Sequence, residues 1–76
     1  MFKTKKQIIQ WLDEMSIKDY VINKNLTVDV EGNVDLLYKE LKEFPVQFEK
    51  VGGYFFCSNN QLKSLKGAQT DYILNI

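Results

Sequence analysis

The sequence predicts an α+β domain: an N-terminal amphipathic helix on a small, mostly antiparallel sheet that continues into about two stacked repeat units. Three observations predict it. Apolar residues recur at helical spacing near the amino terminus, they alternate with polar residues from Tyr20 to Leu36, and the second half of the chain matches itself at a shift of 21 residues.

Thr4, followed three residues later by Gln7, has the form of a capping box, and Ile8, Trp11, Leu12 and Met15 then follow the helical period. A helix is expected from about Lys5 to Met15. Ile9 widens its apolar stripe, and Lys5, Lys6, Gln10, Asp13 and Glu14 take the solvent side. After Ser16 the period falls to two. Tyr20 and Ile22, then Leu26, Val28 and Val30, then Val34 and Leu36 are apolar alternations, separated by the turn signals Asn23-Lys24-Asn25 and Gly32-Asn33. Three short antiparallel strands are expected, with Asp29, Glu31 and Asp35 on their solvated face. From Leu37 to Phe44 the pattern loosens into a turn or a single helical turn that ends before Pro45, because the residue before proline avoids the helical region. Gly52-Gly53 then precedes a strand from Tyr54 to Cys57, Gly67 closes another turn, and Tyr72 to Ile76 reads as a last, capping strand. The reading is one domain, residues 1–76, with a helical cap at 1–18, β-hairpins at 19–36 and degenerate repeats at 34–76.

The repeat is clearest between Phe55 and Leu65, where Phe55, Cys57, Asn60, Leu62 and Leu65 fit the pattern L-x-L-x-x-N-x-L-x-x-L. Shifted by 21 residues, Val34 falls on Phe55, Leu36 on Cys57, Leu41 on Leu62, Phe44 on Leu65, Val51 on Tyr72 and Phe55 on Ile76. In the earlier copy Lys39 stands at the asparagine position, so the amide expected to bond to backbone at that bend is missing.

Composition narrows the function. With 45% hydrophobic and 13% aromatic residues and a single proline, the 76 residues are globular rather than disordered, though small enough that the core is marginal. Ten Lys balance ten Asp and Glu, which argues against a phosphate-binding surface and hence against direct nucleic-acid binding. No apolar run approaches the roughly 20 residues of a membrane span. One cysteine and no secretory leader make the cytoplasm the expected location.

Catalytic material is sparse. The chain has no His, no Arg and no cysteine pair, so the usual zinc sets and Ser-His or Cys-His nucleophiles are absent, and neither catalytic, metal nor cofactor residues are assigned. Cys57 occupies an apolar repeat position and reads as a small core residue. Asp29, Glu31 and Asp35 lack the spacing of a calcium loop, and strand alternation already accounts for them; as a local acidic face they also suit a basic groove on a partner. Gly52-Gly53 is a tight turn rather than a phosphate loop, because a strand follows it. Asn59 and Asn60 are expected to bond to backbone in their bend. With Phe55 inward, Tyr54 and Phe56 point outward, either as a contact surface or dimer interface, or packed under the amino-terminal helix with Trp11. The candidate partner-binding residues are therefore Asp29, Glu31, Asp35, Tyr54 and Phe56.

The stretches Asn25 to Leu36, Phe44-Pro-Val-Gln-Phe48, Lys50-Val-Gly-Gly53 and Cys57 to Ala68, with Trp11-Leu12 and Ile17 to Tyr20 in front of them, resemble a family of leucine-rich-repeat-like proteins common in bacteriophages and bacteria. The chain departs from that pattern at Lys39, at Gln69 where a proline is expected, and at Ile73-Leu74 where the glycine pair would fall. The resemblance implies a binding scaffold without a shared reaction. It leads to the expectation of a non-catalytic, phage-encoded inhibitor of a host protein in the bacterial cytoplasm, an anti-CRISPR or other anti-defence factor. The partner is then a host protein, such as a nucleic-acid-binding defence complex engaged through its basic groove, with no membrane involved and the chain a monomer or homodimer. The alternative is a self-associating structural or assembly component.

Overall fold

The helical periodicity near the amino terminus closes into one helix, α1 (Lys5–Glu14), in a computed structural model that describes residues 1–64 and 66–68 and the backbone of residues 73–75. Thr4 is its N-cap, with Oγ1 accepting from the Gln7 N–H at 3.3 Å. Gln7 Oε1 reaches back to the Lys3 N–H at 3.2 Å, one residue beyond the reciprocal partner of a capping box. At the other end the chain turns through Ser16 at φ 59°, where the Ser16 N–H donates to Asp13 O and the Ile17 N–H to Leu12 O. This is a Schellman closure with serine in the position glycine usually takes, and buried Leu12 and Ile17 supply its hydrophobic contact. Ile8, Trp11 and Leu12 form the buried stripe. Ile9, expected to widen it, is 38% exposed instead, because one step of about 100° around the helix carries it off a narrow packed face.

Six short strands follow among the described residues: β1 (Tyr20–Ile22), β2 (Thr27–Val30), β3 (Val34–Asp35), β4 (Gln47–Val51), β5 (Phe55–Phe56) and β6 (Ile73–Asn75). The fold is α+β, and its strands form two three-stranded sheets, β1-β2-β4 and β3-β5-β6. β1 and β2 make the expected antiparallel hairpin, with Tyr20 opposite Val30 and Ile22 opposite Val28. The direction changes after that. β2 pairs with β4, β3 with β5, and β5 with β6, all in parallel, so the mostly antiparallel pairing and the three-strand meander expected from the sequence are corrected.

The Gly32-Asn33 segment explains the correction. Instead of folding β3 back onto β2, it passes the chain into the second sheet, and its polar groups are taken by a later pass. Gly32 O accepts from the Gly53 N–H at 2.9 Å, and Asn33 Oδ1 accepts from the Tyr54 N–H at 3.0 Å. Glycine is needed at positions 52 and 53 for close approach rather than for conformation: a Cβ on Gly52 would run into Glu31 O, and one on Gly53 into the Asn33 amide. Successive passes thus stack at offsets of 20 or 21 residues, Thr27 on Gln47, Val30 on Val51 and Val34 on Phe55.

Strand β4 had no counterpart in the sequence reading. Its burial pattern runs Phe48 in, Glu49 and Lys50 out, Val51 in, because Val28 pairs with Phe48 but Asp29 pairs with Lys50, leaving Glu49 as an extra residue. The bulge breaks the period of two while keeping both apolar residues on the core side. The last pass is shorter. The Phe48 N–H already meets Gly67 O at 2.7 Å, and Phe55 pairs with Ile73 rather than with Ile76. The expected ends of that strand, Tyr72 and Ile76, and the repeat position Leu65 lie outside the described residues.

Inside, Phe44, Phe48 and Phe55 meet edge to face, with ring centroids 5.3–6.4 Å apart. Trp11 of α1 joins them through Phe48 at 6.3 Å. Such pairs add about 0.5–1.5 kcal/mol each beyond the area they bury. Trp11 comes from the helix, Phe44 from the segment before β4, Phe48 from the first sheet and Phe55 from the second, so the cluster ties helix and both sheets together.

Candidate functional site

The bend after β5 is held by one side chain. Asn60 Oδ1 accepts from the Lys39 N–H at 3.0 Å and the Leu41 N–H at 2.9 Å, while Nδ2 lies 2.7 Å from Leu36 O, 2.9 Å from Cys57 O and 3.2 Å from Ser58 O. The first three partners belong to the previous pass. The amide that Lys39 cannot supply is therefore supplied by Asn60 from the pass stacked on it, and the two bends share one asparagine. They also share a backbone shape: Asn59 takes φ 60°, and Tyr38, its equivalent 21 positions earlier, takes φ 56°. Asparagine tolerates that region; tyrosine does so at a cost of about 1–2 kcal/mol. Asn59 itself is exposed and contributes conformation, whereas Asn60 contributes the bonds.

Sequence alternation placed Asp29, Glu31 and Asp35 on one face, and the structure divides them. Asp29 lies in the first sheet between Val21 of β1 and Lys50 of β4, half-buried, with Oδ1 buried and without a hydrogen-bond partner among the described residues. Glu31 follows the end of β2 and is exposed. Both border an open depression of about 520 Å³, with Asp19, Tyr20, Val21 and Lys50. Asp35 belongs to the second sheet, opposite Phe56, and borders a different depression of about 470 Å³ between the end of α1 and β3, with Met15, Ile17, Leu37 and Tyr38. Asp35 Oδ1 accepts from the Leu37 N–H at 3.2 Å. The three acids split because β2 and β3 are not neighbours in one sheet. Among the described residues no group of three or more His, Cys, Asp or Glu side chains gathers around a point that would hold a metal ion.

Tyr54 and Phe56 do point away from the core. Their rings stack on each other, centroids 4.1 Å apart and planes 21° apart, and both side chains are half-buried. Trp11 packs on Phe48 instead, so it does not form the cover over this pair that one reading of the sequence allowed. A further exposed aromatic residue, which sequence reasoning passed over, is Tyr38, 74% exposed in its left-handed bend. Its signal was available in the 21-residue shift, which sets a tyrosine where the next pass has an asparagine.

Among the described residues two ionisable groups are displaced from their ordinary range. The Tyr20 hydroxyl donates to Asp13 Oδ1 at 2.9 Å, and that hydrogen bond, then partial burial and the carboxylate's charge, push its pKa up. Burial pushes the Cys57 thiol up as well. With 2% exposure Cys57 sits in the core, as its repeat position predicts, and a thiol held protonated there is a poor nucleophile. The arrangement offers stacked rings, a carboxylate and shallow surface relief, which is the chemistry of contact. Among the described residues no helix is long and apolar enough to cross a membrane.

No family model matches the chain, and comparison with curated proteins and with solved structures gives no match.

Proposed function

We propose that the chain is a non-catalytic protein-binding module, and that it meets its partner with the outward face of β3 and β5. The observation that carries this reading is the Tyr54–Phe56 stack, two large rings that face away from the aromatic core and rest on each other. Rings of this kind supply wide, rigid contact area at small entropic cost, which is why they concentrate binding energy in protein interfaces.

The resemblance in sequence to leucine-rich-repeat-like proteins supports a narrower version: a phage-encoded inhibitor of a host protein in the bacterial cytoplasm, of the anti-CRISPR or anti-defence kind. Parallel passes offset by 20 or 21 residues are consistent with that architecture. Self-association is the second reading, and Val21 supports it, 61% exposed on the edge strand β1.

Affinity capture from bacterial lysate, with wild type and the Tyr54→Ala/Phe56→Ala double variant side by side, tests the proposal. A partner held by the wild type should be lost with the double variant. Light scattering across micromolar concentrations separates the second reading: a stable monomer removes it, and a dimer dispersed by Val21→Lys favours it.

A further inference from the structure

We infer that the depression beside β3 receives one cationic side chain, a lysine or an arginine, of a protein partner, seated on the Asp35 carboxylate next to the Phe56 ring. The inference rests on the protein-binding reading and specifies the chemistry of what is bound. Asp35 is exposed, and the bond from the Leu37 N–H holds Oδ1, orienting the carboxylate while leaving Oδ2 without a donor among the described residues. Lys39 lines the same depression yet makes no ion pair there among the described residues. Phe56 lies directly across the parallel ladder from Asp35, about one strand spacing of 4.8 Å away, and Tyr54 stacks behind it. Tyr38, exposed and held at φ 56°, lines the depression together with Met15 and Leu37. A carboxylate with the Tyr38 ring, Met15 and Leu37 around the same depression, and Phe56 across the ladder, complements a charged head on an alkyl stem: the stem covers apolar surface, and the head meets the carboxylate and a ring face. The other depression, around Asp29 and Glu31, is lined by Lys50 and by the single ring of Tyr20, with no ring pair among its lining residues.

The test is a titration of the labelled protein, read by amide chemical shifts, with the capped tripeptide acetyl-Gly-Arg-Gly-amide and with its citrulline counterpart, which keeps the shape and removes the charge. The arginine peptide should shift the amides of Asp35, Leu37 and Phe56 and saturate in the millimolar range. Asp35→Asn should weaken it at least about three-fold, and Lys39→Met, which removes a competing cation, should tighten it. Equal affinity for the citrulline peptide, shifts confined to Asp19, Asp29 and Glu31, or no shift at roughly 20 mM peptide would overturn the inference. A captured partner that is lost with Tyr54→Ala/Phe56→Ala but retained with Asp35→Lys overturns the cationic seat alone and leaves the protein-binding reading standing.

Discussion

The outward faces of the two sheets are built from the same short strands and differ in what their side chains do. On the first, Thr27 and its neighbours satisfy one another: Asn23 Nδ2 donates to Thr27 Oγ1 at 2.9 Å and approaches Glu49 Oε2 at 3.3 Å, and the Thr27 hydroxyl lies 2.7 Å from Asn25 Oδ1 and 2.9 Å from Glu49 Oε2. On the second, the half-buried Tyr54 and Phe56 rings stack on each other. Apart from the unpartnered Asp29 Oδ1, the polar groups around Thr27 are bonded to one another and gain little from a partner, because each new bond replaces an old one. A face of half-covered rings gains the whole of the area a partner removes from water, at about 25 cal/mol per Å². The difference supports the proposal that recognition lies on the second face.

The largest expected effect falls on the support of the second face. Asn60→Ala leaves the Lys39 and Leu41 N–H groups and the Leu36 carbonyl without their side-chain partner in a part-buried bend, and should cost about 3 kcal/mol or more in urea unfolding. Native-state hydrogen exchange should show protection lost first around Lys39 and Leu41, with β1 and β2 holding longer. Uniform loss across both sheets would mean that the two faces are not separable.

Gly52→Ala probes the junction between the sheets, where a methyl group would press on the backbone at Glu31. It should destabilise by about 2–3 kcal/mol, and by thermal melting should affect both sheets together. Thr27→Val in the first face should cost only about 0.5–1 kcal/mol and leave partner capture unchanged, since it removes one hydroxyl from an exposed network.

How much of this was legible in the sequence depended on whether the signal was local. Helix α1 and the β1-β2 hairpin follow from periods of 3.6 and 2 within a dozen residues, and Cys57 as core follows from its repeat position. The direction of β3 was not legible, since Gly32-Asn33 looks like any hairpin turn until Gly53 and Tyr54 bond to it from 21 residues away. Strand β4 was hidden by the extra residue Glu49. At the site, Tyr54 and Phe56 were readable from alternation alone, but the division of Asp29 and Glu31 from Asp35 required knowing which strands are neighbours, and Tyr38 required knowing that its bend repeats that of Asn59.

The smallest expected effect distinguishes the two regions by pH. Tyr20 belongs to the first sheet, and Cys57 lies beneath the second. Each has a folded pKa above its unfolded one, so the folded state binds more protons and stability falls as pH rises. Both contributions are fully present below the ordinary values. Loss should begin above about pH 8.5 for the thiol and above about pH 10 for the phenol. In denaturant midpoints measured from pH 7 to 11, Cys57→Ala should remove the earlier decline and Tyr20→Phe the later one. A midpoint that rises with pH in this window would contradict the sign.

The assignment of recognition to the second face is tested most directly by comparing two variants against one captured partner, Tyr54→Ala/Phe56→Ala and Asp29→Lys/Glu31→Lys, each first shown by its unfolding curve to be folded. The ring variant should lower affinity by at least about 30-fold, the loss of two interface anchors, while the acid variant should change it less than about three-fold, as rim charges do. The reverse order would place recognition on the first sheet and contradict the account.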